Sequence, residues 1–174
     1  YTANTMGSEP IYDSDRYQNA YGAQIFNGSN QYVDTNIFNM TGDFTISAWF
    51  YNTDTSNFRS IISKHNQGSA NESAEFNLQV QAGSPGTLNF FMGSGGSLPV
   101  LISSSQPIYN NTWHHVAITA EDGGSSTTVR MYHNGKLEST GSIANTSRLN
   151  LSTQVHIGYY NNGGAQYWSG RLDD

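Results

Sequence analysis

Carboxylates and imidazoles are where chemistry would start in this chain. Two carboxylates held about 5–9 Å apart across a cleft hydrolyse a glycosidic bond. The nearest pair in sequence is Glu72 and Glu75, in NESAEF. Their spacing sends them to opposite faces of an extended segment. Glu121 and Asp122 adjoin Gly123 and Gly124 and read as a solvated loop. His114 and His115 offer two imidazoles, but neighbours on a strand point to opposite faces and do not chelate one ion. His65, His133 and His156 stand apart, with no acidic cluster beside them in sequence. No G-x-S-x-G elbow presents a serine nucleophile. The chain has no cysteine, which removes thiolate nucleophiles, disulfides and thiolate metal sites. The reading is that of a protein that binds and does not react.

A binding chemistry is better supplied. Sugars present hydroxyls and apolar C–H faces, so a site for them wants an aromatic platform with amide donors held on loops. The tail segment GYYNNGGAQYW brings Tyr160, Asn161, Asn162, Tyr167 and Trp168 around a Gly-Gly turn. Tyr159 shares the parity of Val155 and Ile157 and is read as core, whereas Tyr160, Asn161, Asn162 and Tyr167 are expected at the surface. Trp49 and Tyr51 fall on the polar face of their strand and would line a concave sheet. These seven are the candidate ligand residues.

The elements that must position them are strands. No window sustains a 3.6-residue apolar period, and period-2 alternation recurs throughout. In DFTISAWFY, Phe44, Ile46, Ala48 and Phe50 point one way and Thr45, Ser47, Trp49 and Tyr51 the other. Similar runs cover 24–26, 32–35, 59–64, 75–81, 87–92, 100–104, 113–119, 127–133 and 154–159, rich in β-branched and aromatic residues. Asn134 and Gly135 carry the strongest hairpin signal, because this pair accepts the positive φ angles of a type I′ turn. About ten to twelve short strands without a helix predict two stacked antiparallel sheets, each strand burying one face.

Composition narrows the setting. The 174 residues suit one domain. Only 11% are charged, against about 25% in an average soluble domain, while Ser, Thr, Asn and Gly fill 74 positions. Such a surface is wetted by hydroxyls and amides and keeps its properties across salt and pH, as suits work outside the cell. The net charge is −6 and the seven Lys and Arg are scattered, so nucleic acid finds no basic footprint. No apolar run approaches the length of a membrane span, so no membrane insertion is expected. The first ten residues show neither the basic start nor the apolar run of a secretion signal, as a mature or excised fragment would not.

Six segments taken together resemble a known family. DRYQNAYGAQIFNGSNQYV, DFTISAWFY, SIISK, NTWHHVAIT, MYHNGKL and the closing HIGYYNN with SGRLDD occur in the order found in LamG-like domains. The resemblance covers residues 15–174. It implies an all-β, two-sheet antiparallel jelly-roll β-sandwich of the concanavalin A-like (laminin G-like) class, with residues 1–174 as one such domain. It reads the His114-His115 pair as a structural part of its strand and places a core aromatic at Trp168. The E-x-D-x-E strand of related hydrolases and the S-x-D-x-G-x-x-W repeat of sialidases are absent. Family members begin with an extra strand and continue past D-D, which implies a module or fragment of a longer chain, or an edge strand supplied by a neighbouring protein subunit.

The resemblance also implies a structural calcium ion, held by Asp173 with the Asn27-Gly28 turn opposite. Of six N-x-S/T sequons, Asn71 and Asn145 sit in the most loop-like contexts for glycosylation, Asn39, Asn110 and Asn150 are further candidates, and Asn27 lies in a tight turn that disfavours modification. The function expected is a non-catalytic recognition module, extracellular or at the cell surface, that binds a glycan or glycoprotein through loop aromatics and amides. The alternative is a structural or assembly module of a surface protein or filament that binds protein neighbours. A glycoside hydrolase relative is the third reading.

Overall fold

The computed structural model describes residues 10–37, 40–66, 74–93, 100–145, 149–161 and 163–174. They form two large sheets with antiparallel neighbours throughout. One sheet is ordered β1 (Ile11–Asp13), β2 (Ala23–Asn27), β15 (Ser169–Asp173), β4 (Phe44–Asn52), β9 (Trp113–Asp122), β10 (Ser126–His133), β11 (Lys136–Ala144). The other is ordered β3 (Val33–Ile37), β12 (Gln154–Ile157), β5 (Arg59–His65), β6 (Ala74–Gln81), β7 (Thr87–Met92), β8 (Val100–Ser103). A small third sheet pairs β13 (Tyr159–Asn161) with β14 (Ala165–Tyr167). These are the two stacked antiparallel sheets that the alternation predicts, in the jelly-roll sandwich that the resemblance implies.

The core lies between the two large sheets, where alternation puts it. Ile46 and Phe50 of β4, Val116 and Ile118 of β9, and Val129 and Met131 of β10 face Ile61, Phe76, Leu78, Val80, Leu88 and Phe90 of the other layer. Each such side chain contributes about 1.5–3 kcal/mol on burial. Register follows from this face: β4 pairs with β9 from Phe44 opposite Ala120 to Tyr51 opposite Trp113. A slip of one residue would turn the apolar set out to water.

Turn chemistry fixes two further points. Asn134 and Gly135 take φ of 49° and 79°, and close the β10–β11 hairpin as the sequence predicts. Gly170 takes φ of 130°, and a Cβ there would meet the Tyr51 carbonyl oxygen at 2.0 Å, so only glycine lets β15 lie this close to β4.

Two expectations need correction. First, one-sided burial fails on β6: Asn77 and Gln79, on its polar face, are as buried as the Leu78 between them. They are satisfied within the layer, Ser60 donating to Asn77 and Asn77 to Gln79. Second, Glu121 and Asp122 belong to the end of β9 and not to a loop, with Glu121 paired to Arg130 at 2.9 Å. The closing SGRLD forms β15, inside the seven-stranded sheet and paired with β2 on one side and β4 on the other.

Candidate functional site

The tail aromatics divide. Gly158, at φ of 77°, breaks the strand after β12, and β13 turns back over β5. That break cancels the parity that placed Tyr160 at the surface. Tyr160 is 2% exposed, set edge-on against the His65 ring at 4.9 Å, and burial raises its phenol to about 12. Trp168 is fully buried and meets Phe50 edge-on at 5.8 Å, so it cannot touch a ligand. Tyr167 is half-buried, the outermost of a stack with Tyr159 (4.9 Å) and Tyr32 (4.7 Å further in). Asn161 is also half-buried, its backbone N–H donating to Nε2 of His65. Asn162 lies outside the described residues. The tail is therefore mostly wall and not the open loop site expected.

Folding assembles a Ser–His–Asp neighbourhood that sequence distance concealed. Nδ1 of His156 donates to Asp34 at 2.5 Å, and the His65 and His156 rings lie 4.7 Å apart. Ser63 Oγ is 3.0 Å from Nδ1 of His65. The wiring opposes catalysis. Because Nε2 of His65 accepts the Asn161 N–H, Nδ1 carries the proton and donates to Ser63. Ser63 in turn donates to the Tyr159 carbonyl at 2.6 Å. No base withdraws the serine proton, and Ser63 is sealed from solvent. Burial, with His156 beside it, pushes the His65 imidazole down to about 3.

Trp49 and Tyr51 do lie on an outer face, that of the seven-stranded sheet. Strand register sets Ile11, Ile25, Arg171, Tyr51 and Trp113 side by side across five strands. The next row places Asp173, Trp49 and His115 in line. Rings and guanidinium groups interleave: Arg171 lies 5.1 Å over Tyr51, Tyr51 is 5.6 Å from Trp113, and Arg16 lies 4.6 Å over both Trp49 and Tyr17. Each arginine is held by a carboxylate, Arg171 by Asp13 at 2.7 Å and Arg16 by Asp173 at 2.5 Å. The Ser14 amide and then Arg171 hold the Asp13 carboxyl below the usual carboxylate range. The strip is half-buried at its centre, with Ile11 and Tyr17 exposed at its flank. Chemically it offers apolar ring faces with fixed N–H donors between them. Trp113, Arg16 and Arg171 were not legible as members, because cross-strand register alone makes them neighbours of Trp49 and Tyr51.

The expected calcium set is not assembled. Asn27 pairs with Ser169 at one end of β15, while Asp173 lies at the other end and engages Arg16. The Asn27 side chain closes its own turn, accepting from Ser29 and donating to Asn30, and Gly28 takes φ of 74° with its carbonyl accepting from Arg59. Among the described residues no group of three acidic or histidine side chains gathers to hold a metal. Glu75 pairs with Lys64, and Glu72 lies outside the described residues.

The sequons also separate. Asn145 is tied down, its amide nitrogen donating to Asp122 and to the Gly124 carbonyl, which opposes its choice as an open acceptor. Asn110 is exposed, with its amide donating to Thr55 at 3.2 Å. Asn150 is exposed. Asn39 and Asn71 lie outside the described residues.

A jelly-roll sandwich of two antiparallel sheets, one of them with rings in adjacent rows on its outer face, defines the class of fold. The chain belongs to the concanavalin A-like lectin/glucanases superfamily, whose laminin G-type family model matches residues 27–174. No curated protein matches it. Among solved structures it is similar to tailspike protein 2 of Escherichia coli O157:H7 bacteriophage CAB120, at 15% identity and a TM-score of 0.66. That likeness covers 98% of this chain and 24% of the tailspike, so the chain spans about a quarter of that protein's length. It is similar to the Ruminococcus gnavus IT-sialidase CBM40 bound to alpha2,3 sialyllactose, at 12% identity and a TM-score of 0.66, covering 87% of this chain and 88% of that one. It is also similar to domains LG4-5 of the mouse laminin alpha1 chain, at 12% identity and a TM-score of 0.61, covering 87% and 39%. Among the described residues no helix is long and apolar enough to cross a membrane.

Proposed function

We propose that the chain is a non-catalytic recognition module, working outside the cell or at its surface, that binds a glycan or glycoprotein on the outer face of its seven-stranded sheet. One observation carries this reading: Tyr51, Trp113 and Trp49 lie in adjacent rows with Arg171 and Arg16 laid over the rings. Sugar C–H faces stack on such rings and sugar hydroxyls accept from the guanidinium groups. The likeness in fold to a carbohydrate-binding module and to laminin domains supports the same class. The inverted wiring of Ser63 and His65, and the pairing of Glu75 with Lys64, support a binding role over a hydrolytic one. The test is a glycan array. The native chain binds at least one glycan, and Trp113→Ala and Tyr51→Ala each weaken it about tenfold or more, with circular dichroism unchanged. Absence of any bound glycan, or binding undiminished from the native chain in both variants, defeats the reading.

A further inference from the structure

A second cavity, of about 340 Å³, lies away from the aromatic sheet face, between the segment joining β8 to β9 and the β10–β11 hairpin. Its size falls at the small end of the range for ligand sites, enough for one sugar ring. Tyr109, 58% exposed, forms one wall. Behind it a chain of hydrogen bonds has a fixed sense. The Tyr109 carbonyl can only accept, so Nε2 of His114, at 3.2 Å, carries a proton. Nδ1 of His114 is then the acceptor, and Nε2–H of His133 donates to it at 3.0 Å. In the neutral pair this leaves Nδ1 of His133 as a lone-pair acceptor. Among the described residues no side chain or backbone group takes it up, and the ring, 5% exposed, borders the cavity.

The other polar groups at the rim complement it. Lys136 is exposed and has no ion-pair partner among the described residues. Glu138 accepts from the Ser105 amide and hydroxyl, which holds its carboxyl below the usual range. One cation and one anion cancel, so neither an anion nor a cation is selected. A buried neutral acceptor, a free ammonium and an exposed phenol ring match a neutral polyhydroxyl ring.

We propose that this cavity binds one neutral sugar residue, with a ring hydroxyl donating to Nδ1 of His133, a second hydroxyl accepting from Lys136, and the C–H face of the sugar against Tyr109. The site shares only its ligand class with the sheet-face reading and uses none of the same residues. Burial first, then the neighbouring His114, holds the His133 imidazole below its ordinary value, with Glu138 opposing and His115 adding to the effect, so the acceptor form persists at neutral pH.

The test follows amide NMR shifts of the whole chain during titration with D-glucose, D-galactose, D-mannose and N-acetyl-D-glucosamine. At least one gives saturable shifts confined to residues 106–109 and 133–138. His133→Phe keeps a ring of similar size and lacks the Nδ1 acceptor; it weakens binding about tenfold, the cost of one lost hydrogen bond. Tyr109→Ala, at an exposed position, weakens it by a similar factor with the remaining spectrum unchanged. Trp113→Ala leaves the cavity shifts intact. Failure of all four sugars to shift these residues overturns the proposal, as does undiminished binding by a folded His133→Phe or Tyr109→Ala. Shifts at Tyr51 and Trp113 alone overturn it while supporting the sheet-face site.

Discussion

Nζ of Lys64 and Oε2 of Glu75 meet at 2.8 Å with 0% and 4% of their side chains exposed. The same carboxylate oxygen accepts the Leu151 N–H at 2.9 Å, so the pair ties β5, β6 and the approach to β12 together. Removing one partner leaves a buried charge. Lys64→Met is expected to cost about 3–5 kcal/mol, and Lys64→Met with Glu75→Gln markedly less than the single change. Urea denaturation of the three proteins checks this; a double variant no better than Lys64→Met contradicts it.

Trp168 fills the space beside Phe50 and is fully buried. Trp168→Ala is expected to cost about 3–5 kcal/mol. A loss under about 1 kcal/mol in denaturant melts would return this residue to the surface, where the sequence also allowed it.

Gly170→Ala would drive a methyl to 2.0 Å from the Tyr51 carbonyl at a positive φ. Expression of folded protein is expected to fail or the melting temperature to fall steeply. Gly164→Ala, with open space around it, is the control and leaves the melting temperature within a degree or two. Equal behaviour of the two variants counts against the close pairing of β15 with β4.

The buried imidazoles give stability a pH dependence of definite sign. His65 falls to about 3 in the folded chain from 6.5, and burial lowers His114 and His133 in the same direction. Below 6.5 the unfolded chain binds protons that the folded chain refuses, so stability declines as pH falls from 6.5 toward 4.5. His65 alone contributes a slope approaching about 1.4 kcal/mol per pH unit. Denaturation midpoints measured across that window are expected to fall, and His65→Gln to flatten the decline. A midpoint that rises on acidification refutes the assignment.

Much of the fold was legible because burial on one face leaves a period of two in the sequence. The residues of β4, β9 and β10 show it plainly, and Asn134 with Gly135 marks their hairpin. What was not legible follows from the same rule. Tyr160 and Asn77 break parity, one because Gly158 interrupts the strand and the other because Ser60 and Gln79 satisfy it inside the layer. The strands β1, β13 and β14 have three residues each, too short to show a period. The candidate site was half visible. Trp49 and Tyr51 announce an outward face, but Trp113, Arg16 and Arg171 join them only through pairing between strands distant in the chain. His133 and His114 are likewise brought together by register, and the sense of their hydrogen bond is set by the Tyr109 carbonyl, which no residue type reveals.

The three tryptophans occupy two kinds of place: Trp168 is sealed and its indole N–H has no partner among the described residues, while Trp49 and Trp113 sit half-covered on the sheet's outer side. Their emission therefore divides into a short-wavelength component from the interior and a longer one open to quenchers such as iodide. An occupant of the aromatic strip would shield the second and leave the first untouched, whereas melting would shift both, so ordinary fluorescence separates occupancy from unfolding without any added label.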